Sequence, residues 1–219
     1  MQEWDTYWAK DERPHNYPYD QIAVFYRRYI IKPYLSRYCS RYFAGKSRIL
    51  HAGCGGGQVE EGLDPSVTII GLDISFNALA LYCRCHDRSC LVRGDIMAIG
   101  LKDESIDGIY NLGVMEHFSR EQIHAILKEF HRILKKNGTV ILFWPPRYGL
   151  TVIVLGGIHF ILNNILKKNV ALHPPEPSLL RSKTEAADIV RDAGFQLKET
   201  SFSPRDGYTY MVVVMEKTA

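Results

Sequence analysis

The sequence predicts an α/β fold in which seven strands form a mostly parallel sheet with an antiparallel last strand, and helices cover both faces. Three observations predict it. An apolar run at residues 49–52 breaks into glycines, β-rich and helix-periodic segments alternate up to residue 146, and two β-rich runs end the chain. The alternation is typical of βαβ units, and the terminal pair of runs is typical of a hairpin.

The segment at residues 49–58 has the outline of a buried parallel strand that turns sharply at its carboxyl end. Glycines stand at positions 53, 55, 56 and 57. In open α/β sheets, nucleotide-like ligands bind beyond the strand ends, and glycine lets a ligand lie on the main chain. A dinucleotide fingerprint would need a glycine at position 58, where Gln58 stands. A glycine-rich turn without a ligand is the alternative for this segment taken alone.

The alternating segments predict five parallel strands, at residues 48–52, 67–73, 90–93, 106–111 and 139–144. Helical periodicity predicts a helix that starts near Gly57, a second at residues 75–84 and a third at residues 120–136. Asn137 and Gly138 are the expected stop of the third helix. Strands separated by helices in this way connect by right-handed crossovers and form a parallel sheet.

The end of the chain changes this order. After a predicted helix at residues 184–193, two β-rich runs at residues 195–202 and 208–217 flank a turn at residues 203–207. Because that turn contains proline and glycine, the two runs are predicted to pair as an antiparallel hairpin at one edge of the sheet.

The chain length suits a single domain, residues 1–219, which we divide into four parts. The predicted parts are an N-terminal helical lid at residues 1–45, a ligand-binding core at 46–146, an inserted apolar lid at 147–181, and a C-terminal helix and β-hairpin at 182–219. The apolar run at residues 150–166 is shorter than the roughly twenty residues that span a bilayer. Peripheral membrane contact, with Lys167 and Lys168 at the rim, is the alternative to a lid.

The composition of the chain limits which partners, metals and cellular location are expected. The net charge is +3 and no block of lysine and arginine is present, so no nucleic-acid partner is expected. The acidic, aromatic amino terminus lacks the features of a signal peptide, and five cysteines without a framework spacing suit a reducing compartment, so a cytoplasmic location is predicted. Cys83, Cys85 and Cys90 lack the paired spacing of a zinc site, and no metal is expected. The oligomeric state is left open.

Several short motifs of the core share the order and spacing of one protein family. They are the glycines of residues 53–57, Gly71-Leu72-Asp73-Ile74-Ser75, Gly94-Asp95-Ile96, residues 103–111, Val114-Met115-Glu116-His117-Phe118, and residues 135–140. Together they resemble the class I S-adenosylmethionine-dependent methyltransferases, of the small-molecule type called methyltransferase domain 11. The resemblance covers residues 46–146 and makes this part the cofactor-binding core. It implies a Rossmann-like fold, S-adenosyl-L-methionine as the cofactor and S-adenosyl-L-homocysteine as the product.

The resemblance also implies a set of cofactor-binding residues at the strand ends: His51, Gly53, Cys54, Gly55, Gly57, Asp73, Ile74, Asp95, Ile96, Asn111 and Leu112. The predicted N-terminal lid adds Tyr19, which would lie close to the polar end of the ligand. Asp73 ends the second strand, where an acid that binds ribose hydroxyls is expected, although it could simply cap the next helix. In the family, residues matching Asp95 and Ile96 meet the adenine. His51 is a departure, because the family commonly has an acid there.

The candidate catalytic residue is His117. It follows the fourth strand near the cleft, and an imidazole titrates near neutral pH, so it could take a proton from the methyl acceptor. A backbone hydrogen bond at a helix start is its alternative role, and Glu116, Tyr19 and His159 are weaker candidates. The fourth strand lacks the Asn/Asp-Pro-Pro-Tyr motif of many nucleic-acid and glutamine methylases. A small-molecule acceptor, apolar or lipid-like, is therefore predicted.

The leading functional prediction is a methyltransferase that holds an acceptor in line with the activated methyl group. Two other functions stay open on the sequence. One is a non-catalytic relative that binds S-adenosylmethionine or S-adenosylhomocysteine, which His51 favours. The other is a nicotinamide-dependent oxidoreductase, which Gln58 and the terminal hairpin disfavour.

Overall fold

The computed structural model describes residues 2–10, 24–59, 67–86, 90–168 and 174–218. The strands are β1 Arg48–Ala52, β2 Thr68–Asp73, β3 Cys90–Arg93, β4 Ile106–Leu112, β5 Leu134–Trp144, β6 Phe195–Ser201 and β7 Met211–Lys217. The α-helices are α1 Gln2–Lys10, α2 Lys32–Tyr42, α3 Phe76–Cys85, α4 Arg120–Ile133, α5 Leu150–Phe160 and α6 Lys183–Asp192. The helix predicted to start near Gly57 falls mainly on residues outside the described ranges.

The strands form one sheet in the order β3-β2-β1-β4-β5-β7-β6. The first five strands pair in parallel, whereas β7 runs antiparallel to both β5 and β6. Strand β6 is the edge strand, and β7 lies between β5 and β6. The predicted α/β fold is thereby confirmed, including the antiparallel last strand and the terminal hairpin.

Strand β5 shows how the sheet builds a core on each face. Its side chains alternate between the two faces, as the pleat requires. Val140 and Leu142 pack with helix α4, through residues such as Phe130, in one buried cluster. Ile141 and Phe143 pack in a second cluster with α2, through residues such as Leu35. Helices therefore cover both faces, as predicted.

Helix α4 ends three residues before the predicted boundary. Ser119 caps its start by a capping box with Gln122, but the helix stops at Ile133 because β5 begins at Leu134. The side chain of Leu134 is fully buried and its backbone is in register with Ile106 of β4. Sheet pairing thus overrides the helical periodicity here. Asn137, which was expected to end the helix, instead adopts a φ of 59° within β5.

Strand β7 begins at Met211 rather than at residue 208. A 3₁₀ turn at Pro204–Asp206 is followed by Gly207 with a φ of 67°. The Tyr210 N–H then donates to Oδ2 of Asp206 at 2.7 Å. This bond folds residues 207–210 into a loop over the end of the sheet, so they cannot extend the strand.

Helices α1 and α5, one from each predicted lid segment, lie at the carboxyl end of the parallel strands. Helix α1 packs on α3, where Oδ1 of Asp5 accepts a hydrogen bond of 2.7 Å from the Ser75 hydroxyl. Helix α5 continues into a π-helical turn at Ile161–Ile165, and none of its residues is buried. Of the helices within the described ranges, none is both long and apolar enough to cross a membrane.

Candidate active site

A cavity of about 1120 Å³ lies beyond the carboxyl ends of β1, β2 and β4 and beside the turn after β3. Helices α1 and α5 form two of its walls. The predicted site residues that line it are His51, Gly53, Cys54, Gly55, Gly57, Asp73, Ile74, Asp95, Ile96, Leu112 and His117. Tyr19, also predicted, lies outside the described residues. The fold therefore brings together most of a set that spans more than sixty positions of the sequence.

The glycine loop is held by backbone bonds to β2. The N–H groups of Gly53 and Cys54 both donate to the carbonyl of Leu72, at 2.8 and 3.0 Å. Gly53, Gly55 and Gly57 have positive φ angles, which side-chain-bearing residues rarely adopt. A Cβ at Gly55 would lie 2.6 Å from the Trp8 ring of α1. Glycine is required here both by the turn and by the close approach of α1.

Asp73 joins this loop to the next turn. Its Oδ2 accepts from the Gly55 N–H and its Oδ1 from the Ser75 N–H, both at 2.9 Å. The cap of α3 is Ser75, whose hydroxyl accepts from the Ala78 N–H, so capping is not the role of Asp73. Burial raises the pKa of Asp73, and the two backbone N–H bonds oppose that rise. Each carboxylate oxygen has a second lone pair that can accept a ligand hydroxyl.

Asp95 and Ile96 form the wall next to Asp73. Oδ1 of Asp95 accepts from the Met97 N–H at 2.9 Å, which fixes the turn after β3. Ile96 is buried, and Ile74 lines the same cavity. The arrangement presents a carboxylate beside apolar side chains, which suits a flat ring with a polar edge.

His51 is the departure from the family pattern, and its side chain is 2% exposed. Its ring stacks on Tyr110 of the neighbouring strand β4, with ring centroids 4.2 Å apart. When it is charged, His51 lowers the pKa of Asp73. This effect on the pKa of Asp73 is smaller than those of burial and of the two backbone N–H bonds.

Asn111 is placed differently from the prediction. It is fully buried and does not line the cavity. Its Nδ2 donates to the carbonyl of Ala52 at 2.9 Å and so ties the end of β4 to the end of β1. The alternation of the strand explains this position, because the neighbouring residue Leu112 is the one that reaches the cavity.

His117 stands in a 3₁₀ turn, Met115–His117, directly after β4. Its Nδ1 lies 2.9 Å from the carbonyl oxygen of Pro175, and its ring meets Trp4 of α1 edge to face at 5.2 Å. A carbonyl oxygen only accepts, so Nδ1 carries the proton in this bond and the lone pair of a neutral ring is on Nε2.

Glu116 is the residue whose importance the sequence underestimates. It lines the cavity, is only 4% exposed, and its Oε2 has no hydrogen-bond partner within the described ranges. Burial, together with the nearby charge of Glu176, raises its pKa to about 8. At neutral pH this carboxyl group is therefore largely protonated and can donate a hydrogen bond.

The C-terminal loop supplies residues that sequence reasoning missed. Tyr210 lines the cavity, and burial raises the pKa of its phenol. Its hydroxyl and Oε1 of Glu116 lie 3.3 and 3.4 Å from the position that a Cβ would take at Gly113. Tyr26 also lines the cavity and bonds to Thr209 and to the carbonyl of Asp206. No motif links these positions, because only the fold brings them together.

Among the residues that the structure describes, no three His, Cys, Asp or Glu side chains are grouped so that they could hold a metal ion. The polar groups of the cavity are instead arranged as single carboxyl, imidazole and phenol groups along its wall.

Comparison with known proteins identifies the core. Residues 50–142 match the family model described as "Methyltransferase domain". This part of the chain is a methyltransferase domain. The match confirms the predicted family, whose cofactor is S-adenosylmethionine, and favours it over the oxidoreductase alternative.

One curated relative and several solved structures resemble this chain. The relative, a provisional methyltransferase of Encephalitozoon cuniculi, is 32% identical over 108 residues, 49% of each protein. The alignment thus spans about half the length of that relative.

Two solved methyltransferases contain S-adenosylhomocysteine. The magnesium protoporphyrin IX methyltransferase of Synechocystis has a TM-score of 0.68 at 15% identity, with 100% of this chain and 95% of that chain covered. The 1,6-didemethyltoxoflavin-N1-methyltransferase of Burkholderia thailandensis has a TM-score of 0.64 at 16% identity, with 95% and 93% covered. At such identities the likeness shows the shared fold.

Proposed function

We propose that this protein transfers the methyl group of S-adenosylmethionine to a small, apolar or lipid-like acceptor by in-line displacement. One observation carries the proposal. A single cavity has the glycine loop and Asp73 on one side, and His117, Glu116 and the apolar helix α5 on the other. Cofactor groups and acceptor groups can therefore face each other in one cavity.

The residues on the cofactor side fit S-adenosylmethionine. The carboxylate of Asp73 can accept from two ribose hydroxyls, and Asp95 can accept from the adenine amino group. Ile74 and Ile96 supply apolar contact for the ring. When bound, the cofactor supplies a sulfonium methyl carbon that is already activated, so the protein chiefly aligns the acceptor and excludes water.

His117 is the proposed general base. The acceptor atom gives its lone pair to the methyl carbon as the carbon–sulfur bond breaks, and a hydroxyl or amine acceptor must then lose a proton. The lone pair on Nε2 of His117 can take that proton, while the bond from Nδ1 to Pro175 holds the ring in place. Protonated Glu116 can donate a hydrogen bond to a second polar atom of the acceptor.

The acceptor side of the cavity is mainly apolar. Leu150, Val154, Leu155 and Ile158 of α5 line it, and none of them carries a polar group. An apolar molecule with one polar end fits this wall, because its body would contact α5 while its polar end reached Glu116 and His117. The lid role of residues 1–45 and 147–181, a cytoplasmic location and the absence of a nucleic-acid partner stay predictions.

The test is calorimetric titration of the purified protein with S-adenosylmethionine and S-adenosylhomocysteine, with NADH as the control ligand. We expect micromolar binding of the first two, no binding of NADH, and at least a tenfold loss of affinity in Asp73→Ala. Asp188→Ala is the matched control, because Asp188 is surface-exposed and pairs with Arg191. Wild-type protein that binds neither sulfur compound would refute the proposal.

A non-catalytic binding protein is the second candidate, and His51 is the observation that favours it. The two candidates differ in turnover. If labelled methyl groups from S-adenosylmethionine reach no compound in a panel of phenols, amines, quinols and lipid extracts, while the cofactor binds normally, the binding role replaces the enzymatic one.

A further inference from the structure

We propose that helix α5, together with the Ile161–Ile165 turn, docks on a membrane surface that carries anionic lipids. Docking itself does not require methyl transfer. The consequence that an apolar acceptor enters the cavity from the lipid phase rests on the proposed function.

Helix α5 and its extension are largely apolar, and their polar side chains are Thr151, His159, Asn163 and Asn164. Residues 150–166 contain no Asp, Glu, Lys or Arg, and none of the helical residues is buried. Ile153, Phe160, Ile161, Ile165 and Leu166 are 48–63% exposed, and the cavity-lining Leu150 and Val154 are each 49% exposed. Surface helices normally have a polar outer face, and contiguous exposed apolar side chains mark an interaction site.

The cavity explains only one face of this helix. Leu150, Val154 and Ile158 line the cavity, whereas Ile153, Phe160, Ile161 and Ile165 do not. The inner face is apolar because it contacts the acceptor space. Ile153, Phe160, Ile161 and Ile165 have no such use, and their burial in an apolar phase would be favourable.

The distribution of charged residues near α5 indicates the kind of surface on which it docks. The sequence from residue 148 to 175 has no acidic residue, and the exposed Lys167 and Lys168 directly follow the apolar run. A second stretch that contributes to the cavity lining is similar, since residues 21–59 contain no acid. There, Phe25 and Tyr29 are each 59% exposed, next to the exposed Arg28. A second copy would bring two basic surfaces together, whereas an anionic lipid surface complements them.

The dimensions and ends of the helix favour a position parallel to the membrane plane. The sixteen residues of α5 and its π-helical turn extend about 24 Å, less than the ~30 Å of the hydrocarbon core. At the start of α5, the Leu150 N–H donates to the carbonyl of Tyr208. The rings of Tyr208 and Tyr148 both pack against the Phe202 ring. Aromatic rings at one end and lysines at the other are typical of interfacial anchors.

The experiment is co-sedimentation with phosphatidylcholine vesicles and with vesicles containing 30% phosphatidylglycerol, at low and high salt. We expect the anionic vesicles to bind at least tenfold more protein, and 0.5 M NaCl to weaken that binding. The triple variant Ile153→Ser, Phe160→Ser, Ile165→Ser should lose at least tenfold in binding. Lys167→Ala with Lys168→Ala should remove the preference for anionic lipid. Phe76→Ser is the matched control, because Phe76 is 61% exposed but belongs to α3.

Each outcome decides the proposal. Equal vesicle binding by the triple variant and the wild type, or no binding by either, overturns it. Dimers of the wild type that the triple variant abolishes, without vesicle binding, would assign the surface to a second copy instead. Titration of the triple variant with S-adenosylhomocysteine tests the fold. Loss of vesicle binding with that affinity retained separates membrane docking from the proposed methyl transfer.

Discussion

Glu116 illustrates how the environment of one residue sets its chemistry. Its carboxyl group is enclosed by the cavity wall, and its backbone carbonyl accepts from the Ser178 N–H at 3.1 Å. The segment that carries Glu176 and Ser178 thus encloses the group and adds a second negative charge nearby. The neutral acid is the form that this site stabilises.

The raised pKa of Glu116 predicts a pH-dependent cost to stability. An unfolded glutamate titrates near 4.5, whereas the folded pKa is about 8, so the folded state holds the extra proton between these values. The free energy of unfolding should therefore fall by up to about 1.4 kcal/mol per pH unit across that window. Glu116→Gln removes this dependence. In urea unfolding, the free energy of unfolding of the variant should therefore rise relative to that of the wild type from pH 5 to pH 9. A constant difference between the two proteins over that range would contradict the assignment.

The loop glycines predict a second residue-level result. At Gly57 the φ is +69° and a Cβ would lie 2.5 Å from the Tyr82 ring. Gly57→Ala should lower the free energy of unfolding by about 2–4 kcal/mol through strain and overpacking. Gly100→Ala is the matched control, since nothing lies within 4 Å of its added Cβ. Equal denaturation midpoints for the two variants would show that the loop tolerates side chains.

At the scale of elements, α1 is held mainly by its bonds to the start of α3. Asp5 accepts from the Ser75 hydroxyl, and its carbonyl accepts from Nδ2 of Asn77 at 2.9 Å. The helix places Trp8 over the glycine loop and Trp4 against His117. One small set of polar contacts therefore positions a wall of the cavity.

Loss of the Asp5 side chain should loosen that wall without unfolding the sheet. We expect Asp5→Ala to release S-adenosylhomocysteine several-fold faster in stopped-flow measurements. Asp5→Asn should retain most of the wild-type rate, because its amide oxygen can still accept from Ser75. Melting temperatures that stay close to the wild type would confirm that the core is unaffected. Identical release rates in all three proteins would show that α1 does not cover the bound ligand.

At the scale of the whole molecule, the cofactor should couple elements that are distant in the chain. A ligand that touches β1, β2, the turn after β3 and α1 binds only the folded state. S-adenosylhomocysteine at 100 times its Kd should then add about 2.7 kcal/mol to stability, which raises Tm by roughly 5–10 °C for a chain of this size. Differential scanning calorimetry should show that shift in the wild type and a much smaller one in Asp73→Ala. An equal shift in both would mean that the ligand binds away from Asp73.

Local patterns in the sequence determined the architecture and placed the glycine loop and Asp73 at the end of the sheet. The strands, the glycine loop and Asp73 were predictable, because alternation, periodicity and turn residues act over a few neighbouring positions. The end of α4 was not, since Leu134 enters the sheet through pairing with a strand far away in the chain. The sequence did not show which of Asn111 and Leu112 lines the cavity. Only the orientation of β4 distinguished them.

Tertiary structure alone decided the acceptor side. The sequence placed His117 and Glu116 after the fourth strand, but the proton on Nδ1 depends on Pro175, and the neutral state of Glu116 depends on Glu176 and on burial. Tyr210 reaches the same space through the C-terminal loop. The physical reason is that desolvation and charge act through space, so a pKa is a property of the assembled cavity. The amino-acid pattern determines which groups are present, and packing determines which of them carry a proton.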